Sequence, residues 1–342
     1  MIKDNDSDLN AAPDFVHHTK ATKFGCHNKV IEKTMAECSL VCIGQWAVRI
    51  YTLLCLPFYV SVLVVLVRKR RTELKSSFYS LCISLGLADM GKLVYEVSFR
   101  IFPSLLPSYV PGSWQIIDTT WFQTLNKMNG WAWYYVQVFG VLLLTVNRFS
   151  SIVWFNRYEL MWSRKVLTRA IAFQWFWLLP FSLPMMHPCC RSKLSSNITQ
   201  WATFHDPKVS IVYWTIMVVL ESFLVTPFLV IAHLIMFYKV WKLNTETDQL
   251  TVEQRKDRQA ERNLAVIGSV LCLCYFYLTL NYVYLLVFRD WWDGLGGFTL
   301  APAIALFNNL NPFLLLLFSS KFREAYSNYY RWSTNVIVVP IY

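Results

Sequence analysis

Charged residues are scarce in this chain. Of its 342 residues 15% are charged and 55% are hydrophobic, whereas a soluble domain carries about 25% charged residues. So few polar residues cannot cover a surface that faces water, which excludes an ordinary soluble enzyme, a disordered protein and a fibrous repeat. Cysteine is sparse as well, because nine scattered Cys are too few for a disulfide scaffold.

Motifs for catalysis and metal binding are missing too. The six His form no His-x-x-x-His pair, and Cys272 and Cys274 lie in an apolar stretch where Cys is usually a small buried hydrophobe. No P-loop, Gly-x-Ser-x-Gly or Gly-x-Gly-x-x-Gly occurs. We therefore expect no enzyme activity, no metal and no cofactor. The net charge of +11 would suggest nucleic acid in a soluble chain, but in an apolar chain positive charges set membrane orientation, so we expect no nucleic-acid partner.

Apolar stretches of about 20 residues, the length of helix that crosses a bilayer, make up most of the remaining chain. They predict an all-α membrane protein, a bundle of seven transmembrane helices in a lipid bilayer. The predicted spans, numbered one to seven in chain order, are 46–67, 78–99, 129–153, 166–186, 209–238, 263–288 and 298–319. The bundle thus occupies 46–319, between an N-terminal tail of residues 1–45 and a C-terminal tail of residues 320–342.

The distribution of Lys and Arg predicts the orientation of the bundle. The loops after spans one, three and five, counted with Arg148 and Arg169 at the adjoining span ends, and the C-terminal tail hold 19 of them, against 11 on the opposite side. By the positive-inside rule the N-terminus lies outside and the C-terminus inside. Residues 1–45 contain no apolar core of a signal peptide, so we expect span one to insert the chain. The glycosylation sequons at Asn5 and Asn197 fall on the predicted outer side.

Span two carries four charged residues, Asp89, Lys92, Glu96 and Arg100, whose spacing of three or four places them in one stripe of a helix. Charges at membrane depth are costly and usually face the interior of a bundle. One interpretation is a neutralised ladder, Asp89 with Lys92 and Glu96 with Arg100, that fixes packing. The other makes Asp89 a switch residue and Lys92 or Glu96 part of a pocket.

Further polar residues stand at informative positions. Asn147-Arg148 lies near the cytoplasmic end of span three, and Asn311-Pro312 lies in the inner half of span seven. With Asp89 mid-way along span two, this arrangement resembles seven-helix G-protein-coupled receptors. Residues 144–153, Leu-Thr-Val-Asn-Arg-Phe-Ser-Ser-Ile-Val, are most similar to nematode serpentine chemoreceptors of the Srg superfamily, especially its Srv and Srg classes.

The resemblance implies a chemosensory receptor in the plasma membrane, with the cilia of sensory neurons as one location. Its partners would be a small-molecule ligand, an odorant or pheromone, and a heterotrimeric G protein. The residues implied for coupling and switching are Arg148, Asn147, Asp89, Asn308, Asn311, Pro312 and Glu261. Asn147 replaces the acidic residue that precedes the Arg in rhodopsin-like receptors. An inactive-state lock would therefore need another partner, and Glu261 at the start of span six is the nearest by sequence.

The ligand pocket would form between the outer halves of spans two, three, five, six and seven. The candidate lining residues are Lys92, Glu96, Trp131, Tyr134, Gln137, Tyr213, Glu221, Tyr282 and Tyr284. For the aromatic candidates, packing between helices or a position at the membrane interface is the alternative. Span seven contains no Lys, so we expect no retinal Schiff base and no light sensor.

Receptors of this kind usually anchor the outer end of span three through a Cys, and this chain has none there. A substitute would join one N-terminal Cys to one of the two Cys after span four. The candidates are Cys26, Cys38, Cys42, Cys189 and Cys190. The alternative is that all five are reduced and buried near the interface.

A multi-pass transporter or channel is the alternative function. The charges of span two and Glu221, which lies mid-way along span five, favour it because intramembrane charges often line ion or substrate pathways. Against it, the two halves of the chain show no inverted or parallel repeat, and seven spans do not divide evenly.

The predicted orientation can be tested with glycosylation tags. A tag inserted at residue 72, in the basic loop after span one, should receive no glycan, because that loop is predicted to lie in the cytoplasm. A tag near residue 197 should be glycosylated. The measurement is the shift in gel mobility that a glycosidase removes, and the reverse pattern would contradict the predicted topology.

Overall fold

The computed structural model describes residues 27–102, 119–186, 192–194, 202–204, 207–245, 252–287 and 297–336. The chain divides into two units at Leu40, and the second unit, Val41–Tyr342, contains all seven spans. The N-terminal sequon at Asn5 and the cysteine Cys26 lie outside the described residues, as do Asn197, Cys189 and Cys190.

Helices account for nearly all of the described residues. The α-helices cover His27–Lys69, Ser77–Tyr95, Thr120–Val153, Tyr158–Met161, Arg164–Phe176, Leu178–Ser182, Pro207–Leu220, Thr226–Thr245, Val252–Val287, Gly297–Phe318 and Ser320–Val336. Two π-helical segments, Glu96–Ile101 and Glu221–Val225, continue α-helices, and Phe155–Arg157 and Leu183–Met186 are short 3-10 helices. In the loop after span four, strands Ser192–Leu194 and Ala202–Phe204 pair antiparallel, with Lys193 opposite Thr203.

Four of the described helices are long and apolar enough to cross a membrane on their own. They are Trp46–Lys69, Trp121–Val153, Val218–Lys242 and Arg262–Tyr284, which correspond to spans one, three, five and six. Span seven, taken as Pro302–Phe318, passes the same test together with the helix that follows it, Ser320–Arg331, from which it is bent by 91°. The bend falls at Ser319, between the two helices.

Spans two and four are not among the helices that pass this test of length and hydropathy, for different reasons. Span two is an unbroken run of α- and π-helix over Ser77–Ile101, but its buried charges make it less apolar. Span four is divided at Trp177 into Arg164–Phe176 and Leu178–Ser182. Pro180 lies just after this break, and a proline cannot donate the backbone hydrogen bond that a continuous helix requires there.

Span three begins at Thr120 rather than at the predicted residue 129. The sequence of these added turns is polar, but Gln123 and Asn126 are buried. Asn126 accepts a hydrogen bond of 2.8 Å from the Tyr95 hydroxyl of span two. Hydropathy did not predict this earlier helix start, because the contact that buries Asn126 against span two is a tertiary contact.

Spans five and six extend beyond the predicted membrane boundary on the same side. Span five continues to Thr245, and the helix of span six begins at Val252, directly after Thr251, the first residue of a Thr251-x-x-Gln254 pattern that is typical of a helix N-terminus. Both extensions carry the charged residues of the loop between them, so they project from the apolar layer.

The bundle has its apolar side chains outside and many of its polar side chains inside. Phe223, Leu224 and Leu273 each expose more than 60% of their surface, whereas Gln137 and Gln174 expose none. A lipid-surrounded bundle has this pattern because lipid tails solvate apolar side chains and buried polar groups need partners from other helices.

Spans two, three and four are joined by Gln174 of span four. Its amide nitrogen donates to the Val136 carbonyl at 3.1 Å, and its amide oxygen accepts from the Ser84 hydroxyl at 2.8 Å. The helices approach closely at glycines: a Cβ at Gly140 would meet the Gln174 amide and Leu85 at 2.8 Å, and a Cβ at Gly91 would meet the Trp133 ring at 2.4 Å. Small residues let membrane helices pack this tightly.

Gly91→Ala should destabilise the bundle, because the added methyl group would overlap the Trp133 ring of span three. Overpacking of this kind costs about 1–3 kcal/mol. The measurement is the midpoint of thermal unfolding of the purified protein in detergent. The matched control is Gly268→Ala, whose Cβ meets a single side-chain atom, His233 Nε2, at 3.2 Å. Equal midpoints for the two variants would show that the Gly91–Trp133 contact does not limit packing.

Candidate functional site

The carboxylate of Asp89 lies at the centre of the bundle and exposes 2% of its surface. The Tyr59 hydroxyl of span one donates to its Oδ2, and Gln137 Nε2 of span three donates to its Oδ1 at 2.7 Å. The side chain of Asn311 from span seven lies beside both Asp89 and Tyr59. Four spans therefore meet at one carboxylate.

One of the two local pairs expected along the stripe of span two, Asp89 with Lys92, is not formed. Lys92 does not pair with Asp89: its Nζ lies 3.3 Å from Glu96 Oε1 and donates to the Gly130 carbonyl at 3.4 Å. Glu96 thus has Lys92 as its partner, and the side chain of Arg100 lies outside those described. The shift arises because Asp89 faces spans one and three, whose side chains already satisfy its two oxygens.

Arg148 is buried at the predicted cytoplasmic end of span three, with 3% of its surface exposed. Its Nη2 donates to Asn147 Oδ1 at 2.8 Å, and its guanidinium carbon lies 4.3 Å above the Phe78 ring of span two. A cation over an aromatic face is stabilised by about 0.5–2 kcal/mol. Among the described side chains, the guanidinium is therefore in contact with a neutral amide and an aromatic ring.

Asn147 also connects span three to the loop that follows it. Its Nδ2 donates to the Ser77 hydroxyl at 3.0 Å and to the Tyr158 hydroxyl at 3.2 Å, and these two hydroxyls lie 2.7 Å apart. Further along the loop, Trp162 Nε1 donates to Ser150 Oγ at 2.6 Å. The sequence analysis did not find Ser77 or Tyr158, because neither stands in a motif and both act through contacts distant in sequence.

A second buried carboxylate, Glu221 of span five, lies beside Tyr134, in the half of span three that does not contain Arg148. The Tyr134 hydroxyl donates to Glu221 Oε2 at 2.8 Å, and both side chains are buried. The Tyr134 ring meets the Tyr282 ring edge to face at 5.8 Å and lies 6.4 Å from the Phe307 ring. Spans three, five, six and seven thus contribute to one cluster.

The predicted pocket residues do not all belong to this cluster. Of the nine candidates, Tyr134, Glu221 and Tyr282 come together there. Gln137 instead binds Asp89, and Lys92 pairs with Glu96. Trp131 and Tyr284 are partly buried elsewhere on spans three and six.

The remaining predicted residues either are buried in span seven or have side chains outside those described. Asn308, Asn311 and Pro312 are buried in span seven, where Asn309 Nδ2 donates to the Ala305 carbonyl at 2.9 Å. The side chains of Cys38, Cys42, Tyr213 and Glu261 lie outside those described. Within the described part of the chain, no group of three or more His, Cys, Asp or Glu could hold a metal ion.

Comparison with known proteins gives consistent matches. A family model described as serpentine type 7TM GPCR chemoreceptor Srv matches residues 49–330. The chain is 24% identical over 238 residues to serpentine receptor class V-1 of Caenorhabditis elegans, an alignment that covers 66% of this chain and 70% of that protein. It is 22% identical over 289 residues to galanin receptor type 1 of Homo sapiens, covering 79% and 76% of the two chains.

The hydrogen bond between Tyr59 and Asp89 can be measured with a double-mutant cycle. Tyr59→Phe and Asp89→Ala should each lower the unfolding midpoint in detergent, and the double variant should lose less than the sum, because each single change removes one partner of the same bond. We expect a coupling of about 0.5–2 kcal/mol, the range for hydrogen bonds between membrane helices. The control is Tyr277→Phe, whose side chain is 43% exposed on span six. Additive effects would contradict the bond.

Proposed function

This chain belongs to the Srv family of serpentine seven-transmembrane G-protein-coupled chemoreceptors, and on that basis we propose that it binds a small-molecule odorant or pheromone and activates a heterotrimeric G protein. The proposal places the ligand outside the cell and the G protein inside. It also places the receptor in the plasma membrane, with sensory cilia as one location, with the N-terminus outside and the C-terminus inside.

The state of Arg148 is the observation that carries the coupling proposal. An Arg at this end of span three is buried and bonded to Asn147 and Phe78. A hydrogen bond between an amide and a guanidinium is weaker than one to a carboxylate. A modest change in the packing of spans two and three would therefore release the guanidinium toward the cytoplasmic face, where a G protein would bind.

Span three connects the three parts of the proposed mechanism. Tyr134 contacts Glu221, Gln137 contacts Asp89 one turn further on, and Arg148 follows about 16 Å along the helix axis. A ligand that binds one arrangement of spans three, five, six and seven more tightly would shift the population toward it. The same rigid helix would carry the change past Asp89 to Arg148.

We propose a receptor rather than a transporter or channel. The transporter interpretation relied on the charges of span two and on Glu221. In the described structure Asp89 is hydrogen-bonded by Tyr59 and Gln137, and Lys92 is paired with Glu96. These partners belong to the chain itself, so the charges of span two support a packed bundle.

Arg148→Ala should remove G-protein activation. Because Asn147 is neutral, we expect the parent receptor to show basal signalling, and the variant should lose at least about tenfold of it while still reaching the cell surface. The measurement is a reporter assay for G-protein signalling, normalised to surface labelling. The matched control is Arg157→Ala, an exposed Arg in the loop after span three, which should signal as the parent does.

Two results would contradict the coupling proposal. An Arg148→Ala receptor that signals as the parent does would remove its main support. Equal losses in the Arg148→Ala and Arg157→Ala variants would point to a general effect of basic charge on the cytoplasmic face. In the first case ion flux or substrate uptake in the same cells would be the next measurement, because the transporter or channel would become the leading alternative.

A further inference from the structure

One oxygen of a buried carboxylate has no hydrogen-bond partner among the described side chains. Glu221 exposes 1% of its surface, and its Oε2 accepts from Tyr134. Its Oε1 has no hydrogen-bond partner among the described side chains. A protonated carboxyl would leave a donor or acceptor unpaired, and an ionised one would be a buried charge with a single donor. Either state raises the free energy of a bundle surrounded by lipid. A further hydrogen-bond partner at Oε1 would therefore stabilise the site.

The backbone at Glu221 is also irregular. The helix of span five changes to π-helix over Glu221–Val225 and then returns to α-helix. Such single turns are rare and occur often at functional sites, because the extra residue re-aims the side chains around it. The only other π-helical segment among the described residues begins at Glu96, but Glu96 has its own cation, Lys92.

Aromatic rings cluster around Tyr134, the residue that donates to this carboxylate. Tyr134, Tyr275, Tyr282 and Phe307 form a connected set, with Phe307 5.8 Å from Tyr275 and 6.4 Å from Tyr134. The set comes from spans three, six and seven, and Tyr282, near the end of span six, is its half-buried member. Faces of aromatic rings attract cations, and this attraction grows when water is excluded.

Among the described side chains, no Lys, Arg or His forms an ion pair with Glu221. The ion pairs among the described side chains are Lys69 with Glu73 and Lys92 with Glu96, and neither includes Glu221. A carboxylate with one oxygen unpaired, next to a cluster of aromatic rings and without a Lys or Arg partner among the described side chains, matches the chemistry of a small cation that also has N–H donors.

We propose that Glu221, Tyr134 and Tyr282 bind the protonated amino group of a small organic amine. The ammonium would donate to Glu221 Oε1 and lie against the Tyr282 ring, while Tyr134 holds Oε2 in place. The apolar part of the amine would pack on Phe307 and Tyr275. This inference rests on the proposed receptor function and narrows its ligand class from small molecules in general to amines.

The test compares amines with neutral compounds of the same shape. Purified receptor in detergent is titrated with benzylamine and cyclohexylamine, and in parallel with benzyl alcohol and cyclohexanol, while its thermal unfolding midpoint is followed. We expect the two amines to raise the midpoint and the two alcohols to leave it unchanged. Glu221→Gln keeps the shape and the Tyr134 bond, and it should weaken amine binding at least about tenfold.

Two further variants separate binding from folding. Tyr282→Phe keeps the ring and should bind amines as the parent does, whereas Tyr282→Leu removes the aromatic face and should weaken binding several-fold. Glu159→Gln, in an exposed loop, is the control for loss of a carboxylate. A Glu221→Gln protein that unfolds at the parent midpoint without ligand shows that the loss lies in binding.

The outcomes distinguish this inference from the proposed function, because the titration needs no G protein. Equal stabilisation by amines and alcohols, no stabilisation by either, or unchanged amine affinity in Glu221→Gln would each overturn the amine site. If in addition Arg148→Ala lowered basal signalling, the receptor function would stand without the amine site. If Glu221→Gln abolished amine binding but Arg148→Ala left signalling unchanged, the results would support the amine site and contradict the coupling proposal.

Discussion

A carboxylate inside a lipid-surrounded bundle must obtain its hydrogen bonds from other helices, and this requirement organises the centre of the molecule. Asp89 accepts from Tyr59 on span one and from Gln137 on span three, with Asn311 of span seven beside it. Neither water nor lipid can replace these donors at that depth. The hydrogen bonds of this one carboxylate therefore fix how spans one, two, three and seven are arranged around it.

The same rule operates at neutral residues around span three. Gln174 of span four joins Ser84 to the Val136 carbonyl, and Asn147 joins Ser77 to Tyr158. Each amide both donates and accepts, so each connects three segments of the chain. Span three has a polar contact with span two, four or five at several levels, which suits it to transmit a rearrangement along its length.

The two buried acids differ in how completely they are satisfied. Both oxygens of Asp89 have donors, and the site is closed by the protein itself. Glu221 has one donor among the described side chains for its two oxygens, stands at a π-helical turn and is bonded to a tyrosine that belongs to a cluster of aromatic rings. A buried polar group with all its hydrogen bonds formed stabilises a single arrangement of the helices. A buried polar group that lacks a hydrogen bond is a place where a ligand that supplies the missing bond lowers the free energy. This contrast separates a structural centre from a candidate ligand site within one bundle.

The sequence by itself determined the membrane class, the seven spans and the positions of Asp89, Arg148 and Asn311-Pro312, because hydropathy and motif order are properties of the linear chain. The family match over residues 49–330 agrees with a bundle of seven transmembrane helices. Helix ends were less predictable: span three begins at Thr120 because Asn126 is buried against Tyr95. Polar residues that tertiary contacts bury resemble loop residues when the sequence is taken alone.

Only the tertiary structure decided which polar groups meet. Spacing along span two favoured a pair between Asp89 and Lys92, but helix rotation directs Asp89 toward Tyr59 and Gln137 and leaves Lys92 to Glu96. Tyr134 and Glu221 are 87 residues apart, and Ser77 and Asn147 are 70 apart. Such partners depend on how the helices are rotated and packed against one another. A periodic pattern identifies the polar stripe of a helix, but the neighbouring helices determine what that stripe contacts.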